Sequence, residues 1–129
     1  MKFNALIPEL SVRDLEKSKA FYIGILQFTL EYERTEDRFA FISLEGNQLM
    51  LEEINGHWET GELVYPFGRG VNFEMTVSDV EGLYQRVLEA GIPLFRDWKT
   101  SRYRMDDEEI VQTEFLVQDP DGYLLRFTD

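Results

Sequence analysis

The sequence predicts an α+β fold in which two βαβββ modules build one cupped mixed sheet with helices on its outer face. Three observations predict it. Residues 9–16 read Glu-Leu-Ser-Val-Arg-Asp-Leu-Glu and residues 74–81 read Glu-Met-Thr-Val-Ser-Asp-Val-Glu, with seven of eight positions identical or chemically similar. An internal repeat of this length points to two copies of one supersecondary unit. Each copy passes from alternating apolar residues through an Asp to a helix-period pattern. After each of those helices, three further stretches alternate in the manner of strands.

The elements follow in order. In the first copy a strand is expected over residues 6–12 and a helix over 14–26, with Leu15, Tyr22, Ile25 and Leu26 on its apolar face. Strands are expected over 28–34, 38–44 and 48–53, the last two joined by a tight turn at Glu45, Gly46 and Asn47. In the second copy a strand over 71–77 leads to a helix over 79–90, which carries Val80, Leu83, Tyr84, Val87 and Leu88 on one face and stops at Gly91. Strands near 92–98, 109–118 and 123–127 complete it, and Asp119-Pro120-Asp121-Gly122 supplies a turn before the last. The domain organisation is therefore one unit, 1–129, with module 1 at about 1–54, a linker at 55–70 and module 2 at about 71–129. The acids of 106–109 are expected in a solvated loop.

Strand alternation separates two faces. Leu6, Pro8, Leu10, Val12, Leu49, Leu51, Val71, Phe73, Met75, Val77, Leu125 and Phe127 fall on a dry face that belongs under the helices. Ile7, Glu9, Ser11, Gln48, Met50, Glu52, Asn72, Glu74, Thr76, Arg126 and Thr128 fall on the other. Function is expected on this mixed face.

Composition narrows the chemistry. A net charge of −12 disfavours nucleic acid and anionic membranes as partners and attracts cations. Without cysteine, thiolate catalysis, disulfides and thiolate metal sites are excluded. No apolar run is long enough to span a bilayer and the opening residues do not read as a signal peptide, so a cytoplasmic location is expected.

Five motifs run in order along the chain: Ile-Pro-Glu-Leu-Ser-Val-Arg-Asp-Leu at 7–15, Phe21-Tyr22, Leu26-Gln27-Phe28, Leu49-Met50-Leu51-Glu52-Glu53 and Asp119-Pro120-Asp121-Gly122. On these the chain resembles the vicinal oxygen chelate superfamily, which includes glyoxalases, bleomycin resistance proteins and extradiol dioxygenases. The pattern at 8–14, the Leu-Met-Leu-Glu strand and Glu-Phe-x-x-x-Asp-Pro at 114–120 are most similar to the bleomycin-resistance branch. The resemblance implies paired modules, usually completed in a homodimer. In the metal-dependent members it implies His, Gln or Glu ligands on four strands, which fall here on Ile7, Met50, Asn72 and Arg126.

Those four residues are not a ligand set for a hard or borderline divalent ion, since isoleucine donates nothing, thioether is soft and arginine is a cation. No metal, cofactor or catalytic residue is therefore expected. Ser11, Ser43, Ser78 and Ser101 have no histidine placed as base, and no phosphate loop exists. What remains is aromatic and acidic. The resemblance places Tyr32 and Phe39 as ligand-stacking aromatics, with Glu9, Glu52 and Glu74 as nearby negative charge. Trp58, Tyr65 and Phe67 of the linker and Trp98 and Tyr103 beyond Ile92 are expected to add aromatic surface around the cup, and Arg126 is expected to pair with Glu52 or Glu74. Candidate binding residues are thus Tyr32, Phe39, Met50, Glu52, Trp58, Tyr65, Asn72, Glu74, Trp98, Tyr103 and Arg126. The expected function is metal-independent sequestration of a cationic aromatic small molecule of the bleomycin type. The alternatives are a metal-dependent lyase or dioxygenase using displaced carboxylates, and a binding module for an unrelated small ligand.

Overall fold

The computed structural model describes Met1–Asp129. Eight strands form two four-stranded mixed sheets, one per module. The first contains β1 (Glu9–Val12), β2 (Thr29–Arg34), β3 (Phe39–Leu44) and β4 (Asn47–Glu53) in the order β1-β4-β3-β2. The second contains β5 (Asn72–Thr76), β6 (Leu94–Met105), β7 (Glu108–Gln118) and β8 (Leu124–Thr128) in the order β5-β8-β7-β6. In each module the first strand lies parallel to the last and the others run antiparallel.

Helix α1 spans Leu15–Lys19 and continues as a π-helical turn over Ala20–Ile25, where the Leu26 N–H reaches back to the Phe21 carbonyl at 3.0 Å. The widened turn brings Phe21, Tyr22 and Leu26 together into the interior. Helix α2 spans Val80–Glu89. Both starts are capped by the repeated aspartates: Asp14 accepts from the Glu16 and Lys17 N–H groups, and Asp79 from that of Gly82 at 2.9 Å. The turn before β4 needs only Glu45 and Gly46, both at positive φ, so Asn47 is already strand. The acidic run is largely strand as well. Asp106 and Asp107 alone make the turn of a long β6–β7 hairpin, which extends well past Trp98.

A single core joins the modules. Leu10, Val12, Leu49 and Leu51 from the first sheet and Met75, Val77, Leu125 and Phe127 from the second share it with residues of both helices. Leu6 and Val71, placed on the same dry face by alternation, are 81% and 50% exposed because they precede their strands. The repeat also fixes how the halves meet. Arg13 and Ser78 are repeat partners, and each donates its backbone N–H to an acid of the other module's last hairpin, Asp121 and Glu45, both at 3.0 Å. Tyr22 adds a 2.7 Å bond from its hydroxyl to buried Asp119, which also accepts from the N–H groups of Asp121 and Tyr123. Gly122, at φ +94°, has no room for a Cβ, which would lie 2.5 Å from that of Pro66 in the linker.

Candidate functional site

The open face of module 1 is assembled by register. Phe41 pairs with Met50 and Phe39 with Glu52, while Glu9 lies beside Met50 on β1. A bulge in β2 after Leu30 brings Tyr32 opposite Phe41 and Arg34 opposite Phe39. Without that extra residue Tyr32 would point to the helix side with Leu30. Tyr32 stacks on Phe41 with centroids 5.2 Å apart at 12°, and tilts against Phe39 at 5.9 Å. Burial holds the Glu9 carboxyl above the usual range, neighbouring Glu52 adds to this, and Arg34 opposes it. Phe39 does not face an open cup, contrary to the reading from sequence. It is 2% exposed, because the Arg34 guanidinium lies 4.0 Å over its ring and Tyr32 flanks it.

The open face of module 2 is polar and internally paired. Arg126 lies 3.1 Å from Glu74 through Nη2 and 3.2 Å from Glu114 through Nε. The Arg126–Glu114 contact is an ion pair without hydrogen-bond geometry. Glu114 accepts instead from the hydroxyls of Tyr103 at 2.6 Å and Ser101 at 3.0 Å, and Gln112 donates to Glu74 at 3.0 Å. Arg126 thus pairs with Glu74, as expected, and additionally with Glu114. Asn72 and Glu74 line a groove of about 290 Å³ with Asn4, Gln48 and the apolar Leu6, Leu49, Phe73 and Met75, so residues of both faces of the two sheets meet there.

Two aromatics expected around the cup, Trp98 and Tyr65, lie elsewhere, and Phe67 is buried in the core. Trp98 packs on Tyr84 of α2 at 4.9 Å and against the core, which puts it on the helix side. The two bulges in β6 offset one another, so Trp98 shares the helix side with Leu94 and lies opposite Tyr103, where strand period alone places it. Tyr65 lies under the Arg13 guanidinium at 5.2 Å, beside Pro120 at the module seam. Trp58 is exposed and touches His57 alone among aromatic rings.

Sequence reasoning missed four residues on these faces. Phe41 had a readable signal, since it follows Phe39 at strand period on the same face. Glu114 was legible as part of Glu-Phe-x-x-x-Asp-Pro but not as a buried partner of Arg126. Arg34 depends on the bulge, and Phe3, whose ring meets Phe41 edge-on at 5.4 Å, lies in a segment without regular structure.

The donor set does not fit the metal used by enzymes of the resembled superfamily. Met50 shares its face with aromatics, and Arg126 places its own cation between the carboxylates of Glu74 and Glu114. Nowhere do three His, Cys, Asp or Glu side chains converge as ligands would.

The profile of the Glyoxalase/Bleomycin resistance protein/Dioxygenase superfamily matches residues 4–127, and the chain belongs to that superfamily. A superfamily member from Vibrio splendidus 12B01 is 38% identical, over 93% of this chain and 93% of that one, with a TM-score of 0.43. A glyoxalase/bleomycin resistance protein/dioxygenase from Alicyclobacillus acidocaldarius is similar at 22% identity, 97% and 89% coverage and a TM-score of 0.68. TioX from Micromonospora sp. ML1 is similar at 18% identity, 98% coverage of both chains and a TM-score of 0.74. These two likenesses show the fold. A search of curated proteins finds no match.

Proposed function

We propose that this chain is a metal-independent binding protein that sequesters a flat aromatic compound bearing positive charge, an antibiotic of the bleomycin type, and acts by stoichiometric capture. The observation that carries the reading is the helix-free face of module 1, where partly open Tyr32 backed by buried Phe39 and Phe41 stands beside the acids Glu9 and Glu52. Aromatic faces attract a flat cation by stacking and through the ring quadrupole, worth about 0.5–2 kcal/mol per good partner. Carboxylates on the same face add charge pairing, and the net charge of −12 draws a cation toward the surface. Arg126, in the position of a metal ligand, supports binding over turnover.

The reading includes a homodimer as the functional unit. Tyr103, Met105, Ile110 and Val111 leave apolar surface exposed on the β6–β7 hairpin, which a second copy would cover. The test is a thermal shift series on protein purified without chelators, with elemental analysis of the same sample. Metal-free bleomycin is expected to raise the melting temperature of metal-free protein. A stoichiometric metal in the purified sample, with stabilisation by bleomycin only when that metal is present, would overturn the reading.

A further inference from the structure

Phe39 and Phe41 are 2% and 1% exposed, yet they lie on the side of their sheet that no helix covers. Tyr32 stacks on Phe41 and flanks Phe39, and two further pieces of the chain complete their cover. Arg34 lays its guanidinium 4.0 Å over the Phe39 ring, and Phe3 sets its ring edge-on to Phe41 at 5.4 Å and 88°. One piece is a cation and the other an aromatic ring.

Both pieces are loosely held. Arg34 keeps 44% of its side chain in water and makes one salt bridge, to Asp37 on the adjoining turn, with Glu9 attracting it at longer range. Phe3 is 55% exposed in a segment, residues 1–6, that forms no helix or strand. Three amide bonds moor that segment: Asn4 N–H to Gln48, Gln48 to the Lys2 carbonyl, and Asn4 to the Gly46 carbonyl. Exposed ion pairs and solvated amide bonds exchange readily with water, so lifting this cover costs far less than opening the core.

We infer that Phe39, Phe41 and Tyr32 form a covered binding platform, and that Arg34 and Phe3 are built-in stand-ins for the cationic and aromatic parts of the ligand that displaces them. The inference rests on the proposed reading of this face and specifies its ligand further. Arg34, Phe39 and Glu52 form one cross-strand row with Glu9 on the adjoining strand, so the Arg34 charge stands on the same face as the two acids and offsets their repulsion at Glu9. A ligand that lifts Arg34 must bring a positive charge of its own beside those acids. A neutral ring of the same shape would leave the two carboxylates uncompensated and is rejected. The apparent affinity is reduced by the covered fraction, so loosening the cover tightens binding.

The test measures proflavine, a planar aromatic cation, by fluorescence anisotropy against wild type, Phe3→Ala, Arg34→Gln and the double variant, with neutral acridone as control. Both positions are exposed, so the variants keep the fold. Each single variant is expected to bind proflavine about three- to tenfold more tightly than wild type, with acridone weaker throughout. Wild type that binds as tightly as the variants, or more so, overturns the cover while leaving the binding reading intact. Binding by the double variant but not by wild type supports the cover and removes sequestration as the function of the intact chain. Proflavine binding by none of the four overturns the inference, and bleomycin titration of the same samples then decides whether the broader reading falls with it.

Discussion

Arg126 holds its Nε 3.2 Å from a Glu114 carboxylate that is 3% exposed, and its Nη2 3.1 Å from the far more accessible Glu74. The two acids are not equivalent. Removing the arginine strands Glu114 as a buried charge, whereas Glu74 rehydrates. Arg126→Ala is therefore expected to cost about 3–5 kcal/mol in urea unfolding. Glu74→Ala is expected to cost less than about 1 kcal/mol. Combining Arg126→Met with Glu114→Gln removes both charges and should recover most of the loss. Equal costs for Arg126→Ala and Glu74→Ala would show that Glu114 does not depend on the arginine.

Tyr32 and Phe39 share the platform but differ in how much of the fold rests on each. Phe39 is enclosed by Arg34 and Tyr32, so Phe39→Ala should destabilise the fold by about 3–5 kcal/mol. Tyr32 is partly open, and Tyr32→Ala should lower affinity for a flat cation by about 1–2 kcal/mol with a smaller cost in stability. Denaturation and titration of both variants check this, and a reversed order would place the contact surface elsewhere.

The repeat made most of the architecture readable, because Asp14 and Asp79 cap both helices and Arg13 and Ser78 anchor the seam from matching positions. Face assignment by alternation held wherever strands were regular. It failed where bulges intervened, since one added residue transfers a side chain to the other face. Arg34 reached the Phe39 ring for that reason, whereas Trp98 lies on the helix side by its ordinary period from Leu94. The linker aromatics were unreadable because no periodicity governs residues 55–70. Tyr65 is placed by Arg13 from the other end of the chain.

Asp119 predicts a pH dependence. Burial raises its carboxyl from 3.8 to about 6, against the bonds from Tyr22 and the Tyr123 N–H. The folded state thus holds this proton more tightly than the unfolded chain, which ionises first as pH rises. Its contribution is fully present below pH 3.8 and is lost by about pH 6, a fall of about 3 kcal/mol. Asp119→Asn should flatten that part of the stability profile, measured by urea unfolding at several pH values. An unchanged slope would show that Asp119 titrates normally.

Light scattering tests the dimer, for which a particle of twice the 15.2 kDa chain mass is expected at micromolar concentration. Ile110→Lys and Val111→Lys together should shift it to monomer by placing charge on the hairpin surface. A monomeric wild type contradicts this part of the account.

Calorimetric titration with metal-free bleomycin, in chelator-treated buffer at low and high salt, distinguishes metal-independent capture from its alternatives. Saturable binding tighter than about millimolar is expected, equivalent to at least about 4 kcal/mol. Affinity should fall as salt screens Glu9 and Glu52. Absence of binding below millimolar, or binding that appears only after a divalent metal is restored, would contradict metal-independent capture.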